Sequence, residues 1–363
     1  MKKYKTEGGS ITSFTLLSIM FFVIVLVGIY VGINNKIIKQ RDEIEKIKES
    51  YQQKNVDEIY EQTYLNQTSS RQIKIGDYVA YNADNAELKE LIEQFDKYSN
   101  SGSNSLNVIF QEKLNWRVLD KNQDGEIRLI AENATKAKFF LSGASGYNNA
   151  VYLLDEAAKQ LYNNKEYTKK VENLKIEDIQ KNLTYDYTKS VNQYVDTEKY
   201  GGFSKNILIG GIKYPSIYIQ EKNNGVSGIK NNGTLGLSEQ KEPINSDQEN
   251  ETTKLGATQT FWENTMSEDD FSNKMIFELF LKDNEKYWLS SRCVSNENES
   301  IKFNVNTIID KKIGAEWLFS SKSENNENGY SLKPVVTLKY NTKIDLSDLE
   351  KDGSSPDKAY EIK

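Results

Sequence analysis

The sequence predicts an α+β protein in which an N-terminal transmembrane helix continues into a helical stalk and then into a mainly antiparallel-sheet domain with inserted helices. Three observations predict it. Residues 11–33 carry no charge at any position. Beyond them, Ile37, Ile44, Ile47 and Tyr51 recur at helical spacing among Glu and Lys. From Arg71 onward, short runs alternate apolar and polar residues in the manner of half-buried strands, and helical stretches interrupt them.

The elements follow in chain order. Residues 1–10, with Lys2, Lys3 and Lys5, read as a cytoplasmic tail. Ile11 to Ile33 form the expected transmembrane helix, whose lipid-bilayer partner follows from its length: 23 uncharged residues at ~1.5 Å each reach roughly 34 Å. The run is longer than the apolar core of a cleavable signal, and no Ala-x-Ala-like site follows it, so an uncleaved signal anchor is expected. Lys36, Lys39, Arg41, Lys46 and Lys48 on the far side oppose the usual charge bias. A short basic tail leading into an apolar run nevertheless begins export signals, and long domains translocate largely regardless of charge. The large domain is therefore expected outside the cell membrane. The helical stalk spans 34–66, with a restart at the capping box of Asn55 and Glu58.

The extracytoplasmic α+β domain is expected over 71–363. Ile73 to Tyr81 alternates as a strand, and Asn115–Asp120 with Glu126–Ile130 forms a hairpin. In the turn between them, Asp120, Asn122, Asp124 and Gly125 match the first half of a calcium loop. The twelfth position of that loop is Ala131, where a bidentate Glu is needed, so the segment reads as turn chemistry. Val151, Leu154, Ala158 and Leu161 define a helix with Asn148 and Asn149 as caps. Residues 223–258, rich in Asn, Gly, Glu and Ser, read as a long loop insertion. Ser267–Asp270 opens a helix ahead of Met275, Ile276, Leu279 and Phe280. Strands follow at Tyr287–Arg292, Ile301–Asn306 and Leu332–Lys339, the last placed at a sheet edge or bulge because Pro334 cannot donate to a ladder.

Composition excludes many chemistries. Hydrophobic residues make up 37% of the 363, below the roughly 45–50% of ordinary globular chains. Yet 22 Tyr, 14 Phe and 4 Trp supply enough large side chains for a folded core. A net charge of −6 argues against nucleic acid as a partner, which requires a clustered basic surface. The chain has no histidine and one cysteine, Cys293, so Ser-His-Asp and Cys-His catalysis, HExxH metal sites, Cys-rich zinc sites and internal disulfides are all excluded.

Two resemblances add expectations. Phe14–Ser18 resembles the start of type IV pilin-like subunits, with Ser13 in place of the processing Gly and Ser18 in place of Glu. Gly8–Thr12 is similar to the lead-in of pilin-like proteins of tight-adherence systems. Either likeness implies self-association through the N-terminal helix. The domain itself resembles uncharacterised exported, pilin-like proteins of Gram-positive anaerobes, through Gly76–Val79, Trp116–Leu119, Leu141–Asn149, Tyr287–Arg292 and Leu332–Val336. Its last strands also look like those of C-type-lectin-like and sulfatase-modifying domains; the latter rely on paired cysteines that Cys293 alone does not supply.

No residue pattern defines a catalytic, cofactor-binding or metal site, and no cofactor is expected. Arg292 beside Ser290 and Ser291 is expected to satisfy a buried carboxylate or carbonyl, Cys293 to be a small buried residue, and Asp269–Asp270 to favour a helix dipole. The Tyr and Trp side chains suit core filling or stacking on sugars. The expected role is a membrane-anchored, non-catalytic binding or cell-surface domain with an unknown surface ligand or protein partner. The alternatives are a pilin-like or pseudopilin-like subunit and a carboxylate-based hydrolase.

Overall fold

The computed structural model describes residues 72–101, 108–121, 125–185, 208–209, 212–215, 238–244, 249–252, 255–256, 264–297 and 300–363. Gln72–Lys363 form one unit. In its first half, the expected strand at 73–81 is confined to β1, Tyr78–Val79. Helix α1, Leu88–Tyr98, buries Leu91, Phe95 and Tyr98, the i, i+4, i+7 stripe of an amphipathic helix. The hairpin forms as β2, Trp116–Lys121, and β3, Ile127–Ala131, with a bulge between Val118 and Asp120 and Gly125 at φ +83° leading into the second strand.

After β4, Phe139–Ser142, the helix read as starting near Asn148 begins earlier: α2 spans Gly143–Tyr162. Two glycines make that start possible. Gly143 adopts φ +60°, and a Cβ on Gly146 would lie 2.9 Å from the Ser99 carbonyl oxygen, so only glycine lets the helix pass so close to the end of α1. Asn148 and Asn149 are therefore fully buried within the helix instead of capping it. Strand β5, Thr168–Asn173, and the short helix α3, Ile176–Gln180, complete this half.

The region read as a loop insertion at 223–258 supplies two short strands, each paired with a strand that precedes it. Strands β6, Leu208–Ile209, and β7, Ile212–Pro215, pair with β9, Leu255–Gly256, and β8, Glu249–Thr252, respectively. After β10, Asn264–Thr265, Ser267–Asp270 forms a capped 3-10 turn, and the helix proper, α4, is Lys274–Phe280, with Asn273 accepting from the Met275 amide. Three long strands follow: β11, Lys286–Glu297, β12, Ser300–Ile309, and β13, Lys312–Ser320. The chain ends with β14, Glu327–Tyr330, β15, Pro334–Leu338, β16, Ile344–Asp345, and β17, Glu361–Ile362.

All of these strand pairs are antiparallel. The main sheet has the order β1-β2-β3-β15-β5 and a second has β10-β13-β12-β11. The strand containing Pro334 is thus interior, between β3 and β5, instead of at an edge. Proline is tolerated because it is the first residue of the strand.

Alternation along the main sheet separates two cores. Val118, Leu129 and Val336 join the cluster under α1 and α2, whereas Leu119, Ile130 and Val335 face the cluster formed by α3, α4 and neighbouring strands. No helix among the described residues is long and apolar enough to cross a membrane. The longest, α2, carries Asp155, Glu156 and Lys159 and is a core helix. The fold class is corrected accordingly to mainly antiparallel sheets with a few helices. The expected transmembrane, single-pass helix at Ile11–Ile33 is unsupported by any described helix, and it lies, with the tail at 1–10 and the stalk at 34–66, outside the described residues.

The two sheets meet at Asn173, which is fully buried. Its Nδ2 donates to the Trp288 carbonyl at 2.8 Å, its Oδ1 accepts from the Lys333 amide at 2.8 Å, and its own amide donates to Asp155 Oδ1 at 3.1 Å. The Ser290 amide then donates to the Leu174 carbonyl, continuing the joint. Asn173→Ala strands a buried donor and a buried acceptor, each costing about 1–3 kcal/mol, so urea unfolding is expected to show a loss of roughly 2–5 kcal/mol. A loss below about 1 kcal/mol would show that the sheets are held together by other means.

Candidate functional site

The face of the main sheet that carries Ile130 and Val335 changes character along its length. Near α4 it is apolar. Towards the other end, the same alternation brings up Arg128 from β3, Thr337 from β15 and Lys170 from β5, adjacent in register, with Glu172 two residues further along β5. Together with α3 and Ser238–Glu239, these residues border a cleft of about 450 Å³. Five carboxylates and four cations line it, so it is polar but close to neutral in charge.

Its floor is an ion-pair network. Arg128 reaches Asp178 at 2.6 Å and Asp120 at 3.3 Å, and Lys181 ties the same two acids from outside at 3.3 and 2.8 Å. Burial alone would raise the Asp178 carboxyl, but Arg128 and Lys181 hold it below the usual range. Asp178 also accepts from the Lys175 amide, which fixes the start of α3. Beside this group, Lys175 bridges Glu172 at 2.9 Å and Asp155 at 3.4 Å, and Lys170 meets Glu172 at 2.6 Å.

The acids in this wall are tuned in opposite directions. Glu172 is held low by Lys175 and Lys170 against the effect of burial. Burial pushes Asp155 up to about 6, against the pull of Lys175. Glu177 is also raised by its burial, although Ser238 bonds to it. Glu177 Oε2 is buried with no hydrogen-bond partner among the described residues, and one turn along α3 the same holds for both amide atoms of Gln180, whose residue is 8% exposed.

The third wall is Ser238–Glu239, the start of the stretch Ser238–Ile244 within the segment read as an insertion. This stretch is held as a strap by side chains of the domain. Ser238 Oγ donates to Ser291 Oγ at 2.8 Å, and Gln240 Oε1 accepts from Arg292 Nη1 at 2.9 Å. At its far end the Asn149 carboxamide grips the backbone of Ile244, accepting from its amide at 2.6 Å and donating to its carbonyl at 3.1 Å.

Of the residues considered from sequence, Arg292 and Ser291 thus support the strap, and the buried Arg292 donates to the side-chain carbonyl of the half-exposed Gln240. Cys293 is buried, and burial raises its thiol well above the usual value, away from nucleophilic character. Asp270 caps Ser267 beside the exposed Asp269, far along the chain from the cleft acids. Asp120 serves the ion-pair network, while Asn122 and Asp124 lie outside the described residues. Trp116, Trp288, Tyr147 and Tyr162 fill the core. Among the described residues no cluster of acids, Cys or His is arranged to hold a metal. A second buried cation, Lys333, lies outside the cleft, where it pairs with Glu285 at 2.9 Å, and burial brings it down to about 8 against the pull of that partner. The cleft acids Glu126, Glu172, Glu177, Asp178 and Glu239 went unmarked in the sequence because they are spread over 113 positions of the chain and meet only through strand register, the α3 turn and the Ser238–Glu239 segment.

No family model, curated protein or solved structure matches the chain.

Asp178→Ala leaves Arg128 with its longer partner only, and equilibrium unfolding is expected to show a loss of about 3–5 kcal/mol. For Asp155, a raised native pKa means that its stabilising contribution is complete below the ordinary aspartate value of 3.8 and is lost as pH rises through about 6. Asp155→Asn should therefore remove about 2–3 kcal/mol of the difference in stability between pH 3.5 and pH 7, relative to the unsubstituted chain. Identical pH slopes for the two chains would refute the assignment, as would an Asp155 carboxyl resonance titrating near 4.

Proposed function

We propose that Gln72–Lys363 is a non-catalytic binding domain acting on the extracytoplasmic side, with the cleft above Arg128 and Asp178 as its contact surface. The observation that carries this reading is Glu177 Oε2, a buried atom with no hydrogen-bond partner among the described residues, on a residue that lines the charged cleft, with the equally unsatisfied Gln180 amide one turn further along α3. Buried polar groups ordinarily have partners, so such a wall favours an incoming polar group that completes its hydrogen bonds. Cations and carboxylates already neutralise one another across the floor, which suits a ligand bearing polar groups and both signs of charge. The extracytoplasmic placement is supported by the sequence alone, through the basic tail leading into an uncharged run.

The test is binding of the full chain to arrays of peptides and glycans. Lys169 and Lys170 stand at the mouth with about half their side chains exposed, so Lys169→Gln with Lys170→Gln removes charge from the mouth while Lys175 still pairs Glu172 and the glutamine amides can still bond Glu126 and Glu172. At least one charged ligand class should bind, and the double substitution should weaken it about tenfold or more. Silence across both arrays, or equal binding by the substituted chain, would remove the cleft from consideration.

A further inference from the structure

Phe139 lies in the core, so its neighbours Lys138 and Phe140 turn to the opposite face. The β4–β14 register sets Gly329 opposite Phe140 and Tyr330 opposite Phe139, and its continuation sets Ser331 opposite Lys138. The Phe140 ring occupies the space that a side chain on Gly329 would need, which closes this face on one side. Ser331 is 3% exposed and fixed through its main chain: its carbonyl accepts from the Trp288 amide at 3.0 Å, and its amide donates to the Lys286 carbonyl at 3.2 Å. Lys138 Nζ donates to Ser331 Oγ at 3.2 Å, and the hydroxyl proton itself has no acceptor among the described residues. Lys138 stands apart from the other described lysines. Lys175, Lys282, Lys302, Lys311, Lys333 and Lys351 are, like it, buried or half-buried, and each meets a carboxylate at 2.8–3.8 Å. Lys339 donates to two main-chain carbonyls. Lys138 has one neutral hydroxyl, and the charge acting on it is that of a second cation, Lys286, which together with burial holds its ammonium below the usual lysine range.

We propose that Lys138, Ser331 and Lys286 form a binding site for a phosphate or sulfate group. A cation drawn out of water costs free energy unless a partner meets it, and here the chain places a second cation beside the first instead of an acid. A tetrahedral dianion answers both. It neutralises two ammonium groups, takes the unspent hydrogen-bond donors of Lys138 and accepts the Ser331 hydroxyl proton, whereas one carboxylate would neutralise a single lysine. Lysine suits such a group as a flexible point charge. Lys286 is exposed and makes no ion pair among the described residues, so the site opens to solvent on its side. None of the three residues lines the cleft above Arg128, and the inference stands independently of that surface.

The experiment acetylates the full, unsubstituted chain with an N-hydroxysuccinimide ester in sodium phosphate, sodium sulfate or sodium chloride of equal ionic strength, and mass spectrometry reads the modification of each lysine. Phosphate or sulfate should slow acetylation of Lys138 and Lys286 several-fold relative to chloride, while the exposed Lys136 nearby reacts equally in all three. The same protection is expected in the chain carrying Lys169→Gln with Lys170→Gln, which separates this site from the cleft. Calorimetric titration with the protecting anion then compares the unchanged chain with Lys138→Gln and Ser331→Ala. Loss of a charge-assisted bond should weaken binding about tenfold or more in Lys138→Gln, and loss of the hydroxyl should weaken it less. Glycerol phosphate distinguishes the sources: tighter binding than inorganic phosphate assigns the site to an ester within a larger molecule, and weaker binding assigns it to the free anion. Equal acetylation of Lys138 in chloride, phosphate and sulfate would overturn the proposal, as would slowing of Lys136 to the same extent or undiminished anion binding by a folded Lys138→Gln chain.

Discussion

The fold depends on a buried carboxamide. Asn173 closes three gaps at once: it gives Trp288 a donor, Lys333 an acceptor and, through its own amide, a bond to Asp155. An interior residue with four polar positions is expensive to bury unless nearly all of them are matched, and here the matches come from β11, from Lys333 just ahead of β15, and from α2. The main sheet therefore cannot shift against the second sheet without breaking bonds that no water would replace. The next residues inherit this placement. Leu174 accepts from Ser290, the Ile176 amide donates to Ser291, and α3 is thereby set across the sheet with Asp178 over Arg128.

The same joint explains why a charged cleft coexists with an apolar core on one face of a sheet. Val335 and Ile130 lie under the cluster that α4 completes, while Thr337, Arg128 and Lys170 lie one pleat further along, beyond its reach. An ion-pair network of this kind adds little net stability, since the cost of desolvation offsets most of the attraction, and apolar replacements of similar volume are often as stable. Its contribution is to orientation: removing one partner leaves another charge stranded, so the geometry is held within narrow limits. That property suits a surface whose polar groups must be ready for a ligand, and it accords with the unpartnered atoms at Glu177 and Gln180.

What the sequence made legible was local. The β2–β3 hairpin, the capped turn at Ser267 and the strand character of 287–292, 301–306 and 335–338 all rest on patterns within ten residues, and each has a counterpart in the structure. Strand β13 was missed because Gly314, Ala315 and Glu316 interrupt its alternation; register with β12 holds it in place instead. The start of α2 was missed because Gly143 and Gly146 resemble a turn, whereas they serve a close backbone crossing. Pro334 was misplaced because its missing donor rules out a ladder bond, yet the first position of an interior strand requires none. Nothing local marks Asn173, Asn149 or Asp178 as different from other polar residues, for their partners lie on other elements. The strap was legible only as polar sequence, because it is held by side chains far away in the chain.

The absence of histidine gives Asp155, beside the cleft, a further significance. Imidazole is the only side chain whose ordinary pKa lies within the physiological range, so in this chain a response between pH 5 and 7 falls to perturbed carboxyls. Asp155 is raised by burial to about 6, and it touches both Lys175 in the cleft wall and the Asn173 amide at the joint. A proton arriving there weakens the attraction for Lys175 and leaves that lysine to Glu172, while the remaining carbonyl oxygen can still accept from Asn173. Protonation of Asp155 thus changes the charge facing Lys175 in the cleft wall while the oxygen that accepts from the Asn173 amide keeps its bond.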